Sequence, residues 1–307
     1  MIRRPPRSTL SSSSAASDVY KRQLWERDCS LQRRHQKIIE ITPAPCLPEK
    51  LRQDILEAAT VLASALNYKG LGTVEFLVDV DDRKFFFIEA NARLQVEHTI
   101  TEEVLDIDLV GLQFDIALGK TLKQLGLEKP PELRGTALQL RINGEELTAT
   151  GDLISAAGTL NSYEPSSGPG IRIDSCAFSG YQINPLFDSL IAKLIVYVAS
   201  GDLRKLFHRA ECAVSEFILE GMSTNLPFLS ALVRRKELLA GNYNTTFMDN
   251  QRESLLEESL LFIKNEVTHE LAPKRTSKNI PAGFEAVVAP MRGCVVSILV
   301  SVGDEVG

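Results

Sequence analysis

The sequence has no CxxC pair, and its five cysteines, Cys29, Cys46, Cys176, Cys212 and Cys294, are scattered and odd in number. That argues against a disulfide framework and against a structural zinc site, and it suits a reducing compartment. No apolar run approaches the roughly 20 residues that a membrane-spanning helix needs. The most apolar stretch, Ser189 to Ala199, is short and carries Lys193, so it reads as a buried element. A basic excess is also missing: 34 lysines and arginines face 40 acids, for a net charge of −6. Nucleic-acid binding, which rests on phosphate neutralisation by cations, has no support in that balance. No glycine-rich phosphate loop occurs, since Gly168-Pro169-Gly170 is too short and is stiffened by its proline. No internal repeat is visible. The remainder is an ordinary globular composition, with 44% hydrophobic and 24% charged residues. The chain's 307 residues are enough for about two domains.

Residues 1–23 differ from everything after them. Arg3, Arg4, Arg7, Lys21 and Arg22 face a single acid, Asp18, and Ser8 to Ser17 is of low complexity. An Arg- and Ser-rich, acid-poor composition is that of a mitochondrial transit peptide. The run IRRPPRSTLSSSSAASDVYKRQ also resembles a translated library adapter, and the residues after it read as the middle of a domain. Residues 1–23 are therefore expected to be extraneous and disordered. Scattered cysteines and the lack of a visible export signal make the cytoplasm the expected compartment, with the mitochondrion as the alternative.

Pro48-Glu49 opens a helix in the favoured way, with proline in the first turn and an acid at the positive end. Leu51, Ile55, Ala58, Ala59 and Leu62 then recur at helical spacing to about Leu66, and Gly70 and Gly72 stop the pattern. Thr73 to Val80 and Lys84 to Asn91 are rich in β-branched and aromatic residues and read as a hairpin. A turn centred on Asp82 sets Glu75 opposite Glu89 on one face of the sheet. Two bare carboxylates so placed repel each other unless a cation is shared. A helix is expected over Leu105 to Gly119, then a connection from Leu127 to Arg134. Strands are expected next at Ala137 to Ile142, Gly158 to Tyr163, Gly170 to Asp174 and Leu190 to Val198, and helices at Leu203 to Phe217 and Thr224 to Arg234. Residues 250–282 read as a helix and a polar linker. Phe284 to Val306 is a run of short valine-rich strands.

Chemistry concentrates in two places. Glu89-Ala90-Asn91-Ala92-Arg93-Leu94-Gln95-Val96-Glu97-His98 comes directly after the apolar strand Phe85 to Ile88. Glu26 to Lys37 is similarly polar and precedes the apolar Ile38, Ile39 and Ile41. A solvated strand end is the plainer reading of each. Acid, amide and guanidinium packed this densely at a strand end are instead the groups a site requires.

Four stretches, ERDCSLQRRHQK, GTVEF, FIEANARLQVEH and LRINGEE, resemble the consecutive signatures of biotin carboxylase, an ATP-grasp enzyme, in the family's order. The resemblance runs from about Leu24 to Asp249. It resumes at Val288, where APMRGCVVSILVSVGDEV is similar to the opening of a biotinyl carrier domain. It implies an α+β fold made of the C-terminal half of an ATP-grasp domain (24–128), a β-rich biotin carboxylase C-terminal domain (134–249) and, past the helix and linker, an incomplete biotinyl β-barrel (283–307).

The chemistry it implies has two steps: ATP phosphorylates bicarbonate, and the resulting carboxyl group passes to a biotin nitrogen. Glu75, Glu89 and Asn91 match the ligands of Mg2+ (or Mn2+), a hard cation that favours oxygen. Gln32, His35, Glu75 and Glu89 match ATP-contacting positions. Arg93 matches the bidentate holder of the planar bicarbonate anion, with Lys37, Gln95 and Val96 as its helpers. Glu97 matches the general base, and Arg172 the arginine that stabilises the biotin anion. His208 and His269 receive no role.

The part of an ATP-grasp domain that precedes Leu24 in the family is not here, nor is the lysine that carries biotin. The chain is accordingly expected to be a fragment that is inactive alone. Its expected partners are a biotinyl carrier domain, a carboxyltransferase and a second copy in a homodimer, with no nucleic acid and no membrane. Large single-chain acyl-CoA carboxylases are the nearest in look, with pyruvate and urea carboxylases as alternatives. The competing readings are another carboxylate–amine or carboxylate–thiol ligase and a non-catalytic module descended from a carboxylase.

Overall fold

The computed structural model describes residues 6–13, 21–34, 36–147, 153–184 and 186–270. The first half of the chain supplies β1 (Pro6–Ser13), β2 (Lys21–Arg33), β3 (Gln36–Thr42), α1 (Glu49–Ala65), β4 (Gly70–Asp79), β5 (Lys84–Asn91), α2 (His98–Leu105) and α3 (Leu109–Ala117). The strand-rich middle supplies β6 (Thr136–Asn143), β7 (Glu145–Leu147), β8 (Leu153–Ser155), β9 (Gly158–Thr159), β10 (Ser162–Glu164), β11 (Ile171–Ser175), β12 (Gln182–Ile183) and β13 (Leu190–Val198). Last come α4 (Leu203–Glu216), β14 (Ile218–Glu220), α5 (Leu226–Val233), α6 (Lys236–Leu239), α7 (Phe247–Asn250) and α8 (Arg252–Glu270).

An eight-stranded sheet in the order β11-β13-β6-β3-β2-β1-β4-β5 organises these elements, and all its neighbours are antiparallel. The sheet crosses the boundary expected near residues 128–134, because β6 pairs with β3. Residues up to Ile263 form one compact unit, and Lys264 to Gly307 form a second. The expected carrier segment, 283–307, and most of the linker lie outside the described residues.

Three expectations are corrected. Residues 1–23 are expected from composition to be disordered, but Pro6–Ser13 form β1 between β2 and β4 and Lys21 to Gln23 open β2, while residues 1–5 and 14–20 lie outside the described residues. A strand slot between two sheet edges asks only for main-chain N–H and C=O groups, which composition does not report. The helix expected over Leu105 to Gly119 is the shorter α3, and a second, unexpected helix, α2, ends at Leu105 before it. The two are separated at Asp106, which ends α2 in the left-handed conformation at φ 54°. The first of them begins inside the polar motif, at His98. The strand expected over Gly158 to Tyr163 is the separate pieces β9 and β10.

Period-two alternation assigns each sheet face. On β6, Leu138, Leu140 and Ile142 enter the main core with α4 and α5, and Ile39, Ile41, Leu194 and Val196 join them from β3 and β13. The opposite face carries Gln139 and Arg141 on β6, Glu40 on β3 and Lys193 on β13, beneath α2. There Leu24, Leu71, Ile100, Val104, Leu109 and Ile195 build a second apolar cluster beside these polar side chains. A third cluster packs Leu51, Ile55 and Ala59 of α1 against Val74, Phe76 and Val78 of β4.

Candidate active site

The hairpin puts Glu75 opposite Glu89 by two offsets that cancel. Near the turn Asp79 pairs with Lys84 and Phe76 with Phe87, so the turn centres between Asp81 and Asp82. A bulge between Glu75 and Phe76 then shifts the register by one residue and restores the Glu75–Glu89 and Thr73–Asn91 pairs. The two carboxylates nevertheless have different neighbours. Glu89 is exposed and accepts a hydrogen bond from Asn91 Nδ2 at 2.8 Å. Glu75 is buried and accepts from Lys37 Nζ at 2.8 Å and from Gln95 Nε2 at 2.9 Å, both at Oε1.

Lys37 joins Glu75 to the deeper part of the site, because its Nζ also donates to Glu97 Oε1 at 2.8 Å. Glu97, 2% exposed, occupies the N-cap position of α2, where the helix dipole favours an anion. Its second oxygen accepts from Arg141 Nη2 at 3.1 Å. Arg141 is shared: its Nε donates to Glu40 Oε1 at 2.7 Å, and its Nη2 also contacts Glu40. Carboxylates and cations thus alternate through Glu75, Lys37, Glu97, Arg141 and Glu40. Arg27, 1% exposed, backs this row by donating to Thr101, Thr73 and Gln95 Oε1. Since Arg27 can only donate, Gln95 presents its oxygen to Arg27 and its NH2 group to Glu75.

This packing sets the charge states. Burial alone would push the Glu97 carboxyl up, but Arg27, Lys37 and Arg141 pull it down to about 2. Burial would lower Lys37, yet Cys29, Glu97 and Glu75 carry it above its ordinary value. Burial pushes Glu40 up against the pull of Arg141, and Glu97 adds to the rise. Cys29 Sγ lies 3.9 Å from Glu97 Oε1, and burial pushes its thiol up to about 12.

The remaining expected residues fall around this cluster. Arg93 is exposed, with Nη1 donating to the Leu94 carbonyl at 3.2 Å. The Val96 carbonyl accepts from Lys193 Nζ at 3.4 Å. Gln32 turns back to the Cys29 carbonyl at 2.7 Å. His35 lies outside the described residues. Arg172 is not brought onto Glu97. Its guanidinium meets Glu102 at 2.9 Å, Glu103 at 3.2 Å and Asp174 at 2.9 Å. It lines a cavity of about 660 Å³ together with His98, Glu102, Glu103 and Asp174, along α2 and the connection that follows it. The arginine that touches Glu97 is Arg141, two strands further in, on β6.

The sequence pattern assigns no role to Arg27, Glu40, Gln139, Arg141 or Lys193. The available signal is alternation: Glu40 sits between Ile39 and Ile41, and Gln139 and Arg141 interleave with Leu138, Leu140 and Ile142. Polar residues at every second position of an apolar strand mark a second buried face.

The donor set suits a hard cation. Glu75, Glu89 and Asn91 offer oxygen from adjacent strands. Among the described residues no group of three or more His, Cys, Asp and Glu forms a cage. Glu75, Glu89 and Asn91 would be the oxygen donors for such a cation, whose other partners would come from ATP.

Comparisons with known proteins agree with this architecture. Residues 22–125 match the family model for the carbamoyl-phosphate synthase L chain ATP-binding domain, and residues 139–250 match that for the biotin carboxylase C-terminal domain. The chain belongs to the biotin carboxylase family. It is 39% identical to biotin carboxylase 1 of Bacillus subtilis (strain 168) over 226 residues, covering 74% of the chain and 49% of that relative. It is 43% identical to pyruvate carboxylase 1 of Caenorhabditis elegans over 234 residues, covering 75% of the chain and 19% of the relative. The chain therefore spans about half the length of the first of these curated relatives and about a fifth of the second. Among solved structures, a single-chain, multi-domain long-chain acyl-CoA carboxylase aligns with a TM-score of 0.80 at 38% identity, over 85% of the chain and 27% of that structure. The biotin carboxylase domain of a thermophilic 2-oxoglutarate carboxylase bound to bicarbonate aligns with a TM-score of 0.74 at 30% identity, over 82% and 54%.

Proposed function

We propose that this chain is the bicarbonate- and biotin-handling portion of a biotin-dependent carboxylase, an ATP-dependent ligase that carboxylates biotin for transfer to an acceptor. The observation that carries the reading is the buried Lys37–Glu97–Arg141 row beside Glu75, in a chain matched along most of its length by the two domain models. A non-catalytic module has no use for such a row, whose desolvated charges are costly to keep.

Bicarbonate is taken as the anion that Arg93, exposed at the mouth of the motif, grips from solvent, with Lys37 and Gln95 as further donors. Glu97 is the proton acceptor. Its low pKa keeps it ionised, but a carboxylate held by two cations is a weak base. When the arriving anion draws Lys37 toward itself, Glu97 regains basicity at the moment it is needed. Arg172, on the wall of the open cavity, would supply electrostatic stabilisation to negative charge on bound biotin. Its three carboxylate partners hold the guanidinium in place. Glu75, Glu89 and Asn91 would hold Mg2+, which neutralises charge on the phosphate oxygens of ATP when bound.

The test is bicarbonate-dependent ATP hydrolysis by the full-length gene product. Glu97→Gln should lower turnover about 10²- to 10⁴-fold while leaving the fold intact. Undiminished turnover rejects Glu97 as the base, and no bicarbonate dependence in the wild type rejects the carboxylase reading. The 307-residue chain by itself should not turn over ATP, because phosphoryl transfer depends on positioning by the preceding half of the clamp. The acceptor is inferred to be an acyl-CoA, supported by the likeness to the single-chain acyl-CoA carboxylase. Incorporation of labelled bicarbonate into acyl-CoA rather than pyruvate or urea tests this. A biotinyl carrier domain and a carboxyltransferase are the partners this chemistry requires, and a homodimer is the proposed assembly.

A further inference from the structure

We propose that Glu40 is a positioning residue that acts through Arg141, holding its guanidinium so that the proton acceptor Glu97 is not closed off by it. This deepens the reading of Glu97 as the base and rests on it. Glu40 is 0% exposed, and its two oxygens have different donors. Oε1 takes Nε and Nη2 of Arg141, and Oε2 takes Gln139 Nε2 at 3.0 Å. Gln139, also 0% exposed, is fixed in turn by Thr99 Oγ1, which donates to its Oε1 at 2.6 Å. A relay of side chains therefore runs from the first turn of α2, through Gln139 and Glu40, to Arg141. The β3–β6 register sets its geometry by pairing Glu40 with Gln139.

The need for such a relay arises from the chemistry of arginine. Arg141 Nη2 touches Glu97 Oε2, and Glu40 pulls the same guanidinium the other way. Without Glu40 the fork would close bidentately on Glu97, and a carboxylate so gripped is a poorer proton acceptor. With Glu40 clamping Nε, only Nη2 reaches Glu97, and the guanidinium plane is fixed. A buried ion pair kept only for stability would require no such sharing between two carboxylates.

The experiment is steady-state kinetics of bicarbonate-dependent ATP hydrolysis by the full-length carboxylase. Glu40→Gln keeps the shape and removes the charge. It should lower kcat about tenfold or more without raising KM for bicarbonate, since freeing Arg141 from a carboxylate does not weaken anion binding. In an Arg141→Lys background the same change should add less than about twofold, because Glu40 acts through Arg141. Unchanged kcat, a kcat loss matched by a KM rise, or an undiminished effect in the Arg141→Lys background would overturn the role while the carboxylase reading stands. A wild type without turnover overturns both. Should Glu40→Gln fail to fold, Thr99→Val cuts the relay at its far end with an isosteric side chain. A fall in kcat of about twofold or more at constant KM then supports the relay, and no change overturns it.

Discussion

Replacing Lys37 with methionine should destabilise the chain by about 3 kcal/mol, at the lower end of the roughly 3–5 kcal/mol seen when one partner of a buried ion pair is removed. The lower end applies because neither carboxylate is wholly orphaned. Glu75 keeps Gln95 at 2.9 Å, and Glu97 keeps Arg141 at 3.1 Å. The loss is that of the ammonium 2.8 Å from both, with side chains only 15%, 10% and 2% exposed for Lys37, Glu75 and Glu97. At roughly 2–4 °C per kcal/mol for a unit of this size, the melting temperature should fall by about 6–12 °C. Adding Glu97→Gln should restore part of the loss, since one of the two facing charges is then gone.

The pH dependence has a definite sign. Lys37 is held above its ordinary pKa, so its contribution is complete throughout the neutral range and is lost only as pH rises through its raised value. In Lys37→Met the deficit should shrink on acidification, as Glu97, which Lys37 helps to hold down at about 2 in the wild type, takes up a proton. Urea denaturation at about pH 7 and about pH 4.5 measures both effects. A deficit below about 1 kcal/mol at neutral pH, or one that is constant between the two conditions, would refute the account of Lys37 as the shared cation of a buried acid pair.

Arg172→Ala should cost about 10²-fold or more in carboxylation of biotin by the full-length enzyme, while bicarbonate-dependent ATP hydrolysis without biotin falls less than about tenfold. Equal losses in the two assays would place Arg172 in the earlier, phosphoryl-transfer step. Asn225→Ala should destabilise by about 1–3 kcal/mol in chemical denaturation. Asn225 is 1% exposed, accepts from Asn143 N at 2.8 Å and donates to the Arg141 carbonyl at 2.9 Å, so its loss leaves buried main-chain groups of β6 unpaired. Iodoacetamide under mildly alkaline conditions should label Cys46, Cys176 and Cys212 and spare Cys29, whose thiol is buried and pushed up to about 12. Peptide mass spectrometry showing Cys29 labelled at a comparable rate would contradict that burial.

The sequence by itself determined several of the elements and the chemistry of their ends. Helical spacing in Leu51, Ile55 and Ala59 marked α1, and the β-branched and aromatic runs marked β4 and β5 at nearly their observed limits. Four ordered motifs carried the family, because a site needs particular residue types at fixed offsets along one strand or loop. Those offsets are local, and local order is recorded directly in a sequence. The meeting of charges was decided only by the tertiary structure. Glu40 lies about 100 positions from Gln139 and Arg141 along the chain, and the β3–β6 pairing brings them together beneath α2. The bulge at Glu75 restored a register that the true turn position would have shifted, and the packing of α2 against the sheet set Arg172 among three carboxylates that its short local motif does not contain in full. Even β1, unexpected from composition, entered the sheet, because main-chain hydrogen bonding between two open strand edges is indifferent to side-chain identity. Electrostatic partners are chosen by distance in space, and for buried groups a few ångströms separate a bare charge from a neutralised one.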